Sequence, residues 1–376
     1  MEHYLDNAAT TRVIGPAAEK AVDVMTALYG NPSSVHSMGA LAEKELETAR
    51  ARVLKALGAG EGQLVFTSGG TEAINTALIG ACRKYGKKNK RIVSTMVEHA
   101  ATLETLKFLS DEGFDVRLIK PGRDGGVSAR DIVAEAQDAC LVTLMAINNE
   151  TGAVLPVSEV KALLRDAGSG ALLHVDGVQA FLKTEEPLAS FGADFLSVSG
   201  HKVGAPKGVG ALFIKKGVRI PPLLHGGGQE NGMRSGTEAM SAIASLGEVC
   251  ALYSQSLDEK IRKIQKLNAY ARRRLKDEIP GLIFNSPEDA SGYILNISLP
   301  GAKSEVLMRV LQGRGVFVSS GSACAKGHRS HVLSAMNLDH RLIDSAIRVS
   351  FCPENTGDDI DALCAGLKEG AKLFDM

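Results

Sequence analysis

The feature that most constrains the fold is an alternation of short apolar runs with amphipathic stretches between residues 64 and 214. This order is typical of a parallel sheet that carries helices on both faces. In such sheets ligands bind at the carboxyl ends of the strands, so polar residues that follow the apolar runs are candidates for a site. The predicted strands are 64–66, 92–93, 116–119, 141–147, 172–175, 193–198 and 211–214.

The pattern changes in the last third of the chain. One helix is predicted from Met240 to about Lys276, and mixed short strands and helices follow Pro280-Gly281. We therefore expect an α/β fold with two parts. The large domain, with a mostly parallel seven-stranded sheet, is predicted over 13–256, and a smaller α+β domain is predicted from 1–12 together with 257–376.

The composition gives arguments about nucleic-acid binding, membrane association and metal or disulfide sites. Among 376 residues, Lys plus Arg and Asp plus Glu number 43 each, so the formal net charge is zero. This balance gives no support for direct nucleic-acid binding or for a membrane surface. The sequence shows neither an apolar run of membrane-spanning length nor a signal-peptide pattern, so we expect a cytoplasmic protein. The six cysteines form no Cys-x-x-Cys pair and predict neither a zinc site nor a disulfide framework.

A lysine follows the 193–198 strand in the motif Ser197-Val-Ser-Gly-His-Lys202. A lysine at a strand end, with Ser199 and His201 beside it, is well placed to form a Schiff base with a carbonyl compound. The alternative interpretation is a solvated surface lysine in a turn.

A second motif, Thr67-Ser-Gly-Gly-Thr-Glu72, lies between a predicted strand and a predicted helix. Its glycines allow close backbone approach, and the helix N-terminus offers unpaired N–H groups, which together favour a phosphate. The alternative is an ordinary strand-to-helix turn with Thr71 as the N-cap.

Other strand ends carry further polar residues. Asp176 follows one strand and could keep a ring nitrogen protonated, with Gln179 three residues later; Asn149 and His99 end earlier strands. Asp176 could instead cap a helix, and His99 could be a packed or capping histidine. Considered together with the two motifs, these residues provide every group that pyridoxal phosphate needs: phosphate anchor, ring-stacking group, partners for two ring atoms, and Schiff-base lysine.

On these residues the chain resembles the class V aminotransferase group of fold-type I pyridoxal-phosphate enzymes, and within it the cysteine desulfurases. The resemblance covers nearly the whole length. The matching stretches are 4–11, 30–36, 67–72, 98–99, 148–150, 174–176, 199–202, 225–228, 233–237 and 319–324.

The resemblance implies pyridoxal 5′-phosphate as the cofactor and a role for each matching residue. Lys202 would form the Schiff base, Asp176 would pair with the pyridinium nitrogen, and Gln179 would contact the phenolic oxygen. His99 would stack on the ring and shuttle protons. Asn149 and Arg348 would bind the substrate carboxylate. The phosphate would be bound by Gly70, Thr71, Ser199 and His201, with Thr237 supplied by the second subunit of a homodimer.

Cys324 is the predicted nucleophile. It lies in a segment of small and polar residues, with the basic residues Lys326, His328 and Arg329 close by. Positive neighbours lower a thiol pKa and favour the thiolate. By resemblance, L-cysteine would be converted to L-alanine after proton removal by Lys202, with its sulfur taken up by Cys324 as a persulfide.

The sulfur acceptor and two rival functions stay open at this stage. The acceptor would be an iron–sulfur scaffold or a tRNA-thiolation enzyme. The segment after Cys324 is shorter and more basic than in housekeeping iron–sulfur desulfurases, and the chain ends at Met376 without their C-terminal extension, so we expect altered docking. A selenocysteine lyase or another class V aminotransferase would share the cofactor set without needing Cys324. A non-enzymatic binding subunit would not need Lys202, Asp176 and His99.

Overall fold

The structure is a computed structural model that describes residues 2–320 and 329–374. Its helices are α1 (Gly15–Thr26), α2 (Ser37–Leu57), α3 (Gly70–Tyr85), α4 (Ala100–Asp111), α5 (Ala129–Glu135), α6 (Val157–Asp166), α7 (Met240–Ser254), α8 (Leu257–Glu278), α9 (Ser304–Gly313), α10 (His331–Ala335), α11 (His340–Asp344) and α12 (Gly357–Lys372). Its strands are β1 (His3–Tyr4), β2 (Gly62–Thr67), β3 (Arg91–Thr95), β4 (Asp115–Ile119), β5 (Ala139–Met145), β6 (Leu172–Asp176), β7 (Phe195–Ser199), β8 (Gly210–Lys215), β9 (Ile283–Phe284), β10 (Ile294–Ser298), β11 (Val316–Phe317) and β12 (Ala346–Ser350).

The central sheet has seven strands in the order β2-β8-β7-β6-β5-β3-β4. β8 pairs antiparallel with both of its neighbours, and the remaining pairs are parallel. Every residue of β5 and β7 is buried, as expected for strands covered on both faces. The predicted α/β class and the mostly parallel seven-stranded sheet are confirmed.

Two apolar clusters cover the two faces of this sheet. Neighbouring residues along one strand belong to different clusters: Phe195 contributes to one and Leu196 to the other, and Ile92 and Val93 divide in the same way. This follows from the two-residue period of a strand, which sends successive side chains to opposite faces. Continuous apolar runs in the sequence therefore mark strands that are buried on both sides.

The C-terminal region forms a second, smaller sheet with the order β12-β10-β9, all antiparallel. The N-terminus joins this region, because β1 pairs parallel with β11 and Asn7 Nδ2 donates to the Ser350 carbonyl at 2.9 Å. The boundaries of the two domains, 13–256 and 1–12 with 257–376, stay a prediction.

The helix predicted from Met240 to Lys276 is wrong as a single element. The chain forms α7 and α8, with a break at Gln255 and Ser256. Ser256 precedes Asp258 and Glu259 in the first turn of α8, and acidic residues there are favoured by the helix dipole. The sequence therefore contains a signal for the start of a new helix within the amphipathic run.

Among the described residues, none of the helices combines the length and apolar character needed to cross a membrane.

Candidate active site

A cavity of about 420 Å³ lies at the carboxyl ends of the central strands. It gathers most of the residues singled out in the sequence, although they are far apart along the chain. Thr237 is exposed and does not line this cavity. Cys324 lies outside the described residues. The predicted residues that line the cavity are Gly70, Thr71, His99, Asn149, Asp176, Gln179, Ser199, His201, Lys202 and Arg348.

Lys202 reaches the cavity from the turn that follows β7. Its Nζ donates to the carbonyl oxygens of Ala8 and Ala9, at 2.7 Å each. These two acceptors orient the amine between the sheet and the N-terminal segment. Sequence reasoning missed them, because a backbone carbonyl leaves no signal in residue type, although 4–11 was among the matching stretches.

Asp176 ends β6 and is 5% exposed. Its Oδ1 accepts a hydrogen bond from the Val178 N–H at 2.9 Å in the turn after β6, so the alternative that Asp176 caps a helix is wrong. Burial raises the pKa of Asp176 to about 6, while the Val178 N–H and Lys202 act in the opposite direction. A buried carboxylate of this kind favours a partner that brings its own proton, such as a protonated ring nitrogen.

Gln179 is buried in the turn after Asp176. Its Nε2 donates to the Ala8 carbonyl at 2.9 Å, and its Oε1 accepts from Lys183 Nζ at 3.3 Å. The Ala8 carbonyl thus links Gln179 to Lys202.

His99 is the N-cap of α4 and also lines the cavity. Its Nδ1 accepts from the Ala101 N–H at 3.1 Å, which leaves Nε2 to carry the hydrogen of the neutral ring. Burial lowers the pKa of His99 to about 4, and the positive charge of Lys202 adds to this effect. The side chain is therefore neutral at physiological pH and can present a flat, uncharged ring. The capping interpretation and the functional one are compatible.

The N-terminus of α3 forms one end of the cavity. The N-cap is Gly69, with no capping side chain, so the interpretation of Thr71 as N-cap is wrong. The uncapped first turn presents backbone N–H groups, which favour an anion. A Cβ added at Gly70 would lie 2.8 Å from Val178 Cγ2, so a larger residue would disturb this turn.

Two side chains complete this end of the cavity. The hydroxyl of Ser199 is buried and has no hydrogen-bond partner within residues 2–320 and 329–374. A buried hydroxyl without a partner is costly unless a ligand supplies one. His201 Nδ1 shares a hydrogen bond with Thr10 Oγ1 at 3.2 Å. Burial and Lys202 lower the pKa of His201 to about 4.

Arg348 extends from β12 towards the opposite side of the cavity. Its Nη1 donates to the Asn149 carbonyl at 2.9 Å, and its Nη2 pairs with Asp6 Oδ1 at 3.0 Å. The side-chain Oδ1 of Asn149 is buried and has no partner in the described part of the chain. Asp6 was missed from the sequence, because its contact with Arg348 joins the two ends of the chain.

Glu150 and His331 also line the cavity and were not predicted. Ser330 Oγ donates to Glu150 Oε2 at 2.5 Å, and His331 Nε2 shares a hydrogen bond with the Glu98 carbonyl at 2.9 Å. Burial raises the pKa of Glu150, while Ser330 acts in the opposite direction. These contacts fix the chain just after residue 328 against the cavity wall.

No cluster of His, Cys, Asp or Glu within the described residues could hold a metal ion. The chemistry of this donor set, with an amine, a buried carboxylate, a neutral imidazole and an open helix N-terminus, fits pyridoxal 5′-phosphate instead.

Comparison with known proteins gives a consistent result. The family model for class-V aminotransferases matches residues 3–363. The chain is 38% identical over 364 residues to the cysteine desulfurase IscS of Clostridium botulinum (strain Kyoto / Type A2), covering 95% of this chain and 91% of that protein.

Solved structures agree in fold. A NifS-like protein superposes with a TM-score of 0.93 at 35% identity, covering 99% of this chain and 100% of that one. A structure described as SspA in complex with cysteine has a TM-score of 0.81 at 28% identity, covering 94% of this chain and 100% of that one. The chain belongs to the class-V aminotransferase family and, within it, to the cysteine desulfurases.

Proposed function

We propose that this protein is a cysteine desulfurase that removes sulfur from L-cysteine and releases L-alanine, with pyridoxal 5′-phosphate as its cofactor. The observation that carries the proposal is the convergence of Lys202, Asp176 and the uncapped N-terminus of α3 on one cavity. Few other ligands need an amine, a buried carboxylate and an anion-binding helix end at the same time.

The cofactor fits the residues of the cavity. The hydroxyl of Ser199, the first turn of α3 at Gly70 and Thr71, and His201 would bind its phosphate. Asp176 would pair with its ring nitrogen and Gln179 would donate to its phenolic oxygen. When bound through a Schiff base, this cofactor supplies an electron sink for cleavage of bonds at the amino acid.

Lys202 is the group that would move the proton at the substrate Cα. Its Nζ lies between the carbonyls of Ala8 and Ala9, which accept hydrogen bonds and so hold the amine at the cavity wall. His99, neutral because burial lowers its pKa to about 4, would pack on the cofactor ring and offer its Nε2 proton.

Arg348 and Asn149 would orient L-cysteine. The Arg348 guanidinium is fixed by Asp6 and by the Asn149 carbonyl, so it is already in place before a carboxylate arrives. The Nδ2 of Asn149 would donate to the substrate carboxylate, and its buried Oδ1 could accept a hydrogen bond from an N–H group of the amino acid. The cysteine complex of the related SspA supports the choice of this substrate.

Cys324 would take the sulfur. Its thiolate would attack the sulfur of L-cysteine, forming an S–S bond as the C–S bond breaks. The electron pair of the broken bond stays with the three-carbon fragment, which gains a proton and leaves as alanine. The basic residues near Cys324 in the sequence support a thiolate at this position.

The persulfide would then pass to an acceptor protein, either an iron–sulfur scaffold or a tRNA-thiolation enzyme. The name IscS of the clostridial relative supports membership of the sulfur-transfer enzymes without selecting the acceptor. We further propose a cytoplasmic homodimer in which Thr237, exposed in each subunit, completes the phosphate site of the other subunit.

Cofactor trapping and product release test the proposal together. The purified protein, reconstituted with pyridoxal 5′-phosphate, should be yellow, and borohydride should attach the cofactor to the peptide that contains Lys202. It should release alanine from L-cysteine in the presence of dithiothreitol. Lys202→Ala should lose both properties, whereas Lys216→Met, at an exposed lysine paired with Glu61, should keep them. A wild-type protein that binds no cofactor would contradict the proposal.

The alternative functions are less well supported. A selenocysteine lyase or an aminotransferase would use the same cavity, but the curated relative carries the name cysteine desulfurase. A non-enzymatic role would leave the amine of Lys202, the buried carboxylate of Asp176 and the imidazole of His99 without a purpose in this cavity.

A further inference from the structure

A second, larger cavity of about 1070 Å³ lies on the other side of the N-terminal segment. Asn7, Thr10 and Thr11 line this cavity, whereas Ala8 and Ala9 line the active-site cavity, so the segment forms the wall between the two. Lys202 lines both cavities. Lys183 lines the second cavity alone and contacts the active site through one other residue.

That residue is Gln179. Lys183 Nζ donates to Gln179 Oε1 at 3.3 Å and lies 5.6 Å from the centroid of the Tyr293 ring. The i to i+4 spacing places the two side chains side by side along the turn that follows β6. Lys183 is therefore held from two directions, by an amide oxygen and by an aromatic face.

The two ends of a glutamine amide have nearly the same shape, so only their hydrogen-bond partners decide which way the group lies. The Ala8 carbonyl can only accept a hydrogen bond, so it favours the orientation in which the amide nitrogen of Gln179 faces it. The ammonium form of Lys183 can only donate hydrogen bonds, so it favours the orientation in which the amide oxygen of Gln179 faces it. With both partners present, the second N–H of Nε2 is left to donate into the active-site cavity.

We propose that Lys183 is a positioning residue, which holds the Gln179 amide with its nitrogen towards the phenolic oxygen of the cofactor. The inference rests on the proposed function and adds to it a residue that does not line the active-site cavity. If the amide were reversed, its oxygen would face the Ala8 carbonyl and the phenolic oxygen, and both contacts would be repulsive.

The charge of Lys183 depends on pH, but its amine has N–H groups to donate to Gln179 Oε1 in both the protonated and the neutral form. Burial and the positive charge of Lys202 lower the pKa of Lys183 to about 7, with Cys352 and Arg348 as further neighbours. The charge of Lys183 in turn contributes to lowering the pKa of His201. The groups that face its amine are His201 and Lys202 after β7, Arg348 and Cys352 on and after β12, and Tyr293 before β10.

The test compares Lys183→Met, which keeps the length of the side chain but removes donor and charge, with Lys183→Arg, which restores both. Lys216→Met, at an exposed lysine on another face, is the matched control. Each protein is reconstituted with pyridoxal 5′-phosphate. The dissociation constant is measured by titration of the cofactor-free protein, and the visible spectrum is recorded from about pH 6 to about pH 9.

We expect Lys183→Met to raise the dissociation constant on the order of tenfold, the effect of losing one hydrogen bond to a charged group. The midpoint of its spectral titration should move upward by about one pH unit, because a lost cation and a weaker bond to the phenolic oxygen both favour the protonated Schiff base. Lys183→Arg should recover most of both changes, and Lys216→Met should match the wild type.

A Lys183→Met spectrum and midpoint that superpose on those of the wild type would overturn the inference, even if the variant melts at a lower temperature, because a purely structural role would change stability alone. If Lys183→Met does not fold, Lys183→Gln takes its place and should show a smaller change in the same direction. A wild-type protein that binds no cofactor would overturn the proposed function as well, so the two failures are distinguishable.

Discussion

At the scale of single residues, Glu98 shows how burial links the site to pH. The carboxyl is fully buried, and Thr95 Oγ1 donates to its Oε1 at 2.7 Å. Its Oε2 has no hydrogen-bond partner among the described residues. Burial raises the pKa of Glu98 to about 8, and the nearby Asp176 adds to the shift. Because the folded pKa lies above the unfolded value of about 4.3, this group contributes stability below about pH 4.3 that is lost as pH rises through about 8.

Glu98→Gln removes that titration and keeps the shape of the side chain. We expect the variant to gain stability relative to the wild type as pH rises, by a few kcal/mol at about pH 9 and by much less at about pH 5. Thermal melts across this range measure the difference. A difference between the two melting temperatures that does not grow with pH would contradict the assignment of a buried, protonated carboxyl at Glu98.

Two neighbouring serines on β7 should behave in opposite ways. The Ser199 hydroxyl has no partner within the described residues, whereas the Ser197 hydroxyl shares a hydrogen bond with His174 Nε2 at 2.9 Å. We expect Ser199→Ala to leave the cofactor-free protein at least as stable and to weaken pyridoxal phosphate binding on the order of tenfold. Ser197→Ala should lower the melting temperature instead. Equal cofactor affinity in Ser199→Ala and wild type would show that Ser199 does not contact the phosphate.

The sequence predicted residues whose role depends on a local motif, and missed those whose role depends on a distant contact. Asp176, Gln179, Ser199 and Lys202 each follow a predicted strand, and strand ends meet at one edge of a parallel sheet. Asp6 and the Ala8 and Ala9 carbonyls were missed, because they lie far along the chain from Arg348 and Lys202. The same limit applies to Lys183, which has no distinguishing signal in the sequence and is recognised only by its contact with Gln179 in the structure.

At the scale of elements, the start of α3 decides whether a phosphate can be bound. Thr71 appeared to be a possible N-cap because threonine is common there, but the N-cap is Gly69, two residues earlier, and only the backbone path determines that. The break between α7 and α8 was missed for a related reason: the helical pattern continues through Gln255 and Ser256, although the helix does not.

Gly70→Ala tests the role of this helix start. The added Cβ would lie 2.8 Å from Val178 Cγ2, which is too close for carbon atoms, so the first turn of α3 must shift. We expect cofactor affinity to fall on the order of tenfold or more, since the backbone N–H groups would no longer converge on the phosphate. Val178→Ala in the same chain removes the clash and should restore most of the affinity. A double variant no better than the single one would show that the contact with Val178 is not the cause.

At the scale of the whole molecule, the proposed homodimer predicts shared sites. Thr237 is exposed and does not line the cavity of its own subunit. In a mixed dimer of Thr237→Ala and Lys202→Ala subunits, one site should carry both defects and the other should be intact. Such dimers should recover about half of the borohydride-trapped cofactor of the wild type. Full cofactor affinity in a verified monomer would contradict shared sites.

The proposed desulfurase activity depends on sulfur transfer to Cys324, and the most direct measurement is the mass of its peptide after reaction with L-cysteine without reductant. We expect one added sulfur atom on the Cys324 peptide and none on those of Cys250 and Cys364, which are buried in α7 and α12. Cys324→Ser should still change the cofactor spectrum with L-cysteine. Its rate of alanine release should fall by roughly several orders of magnitude, because the nucleophile that takes the sulfur is missing. Wild-type alanine release by Cys324→Ser, or a sulfur adduct on another cysteine, would contradict sulfur transfer to Cys324.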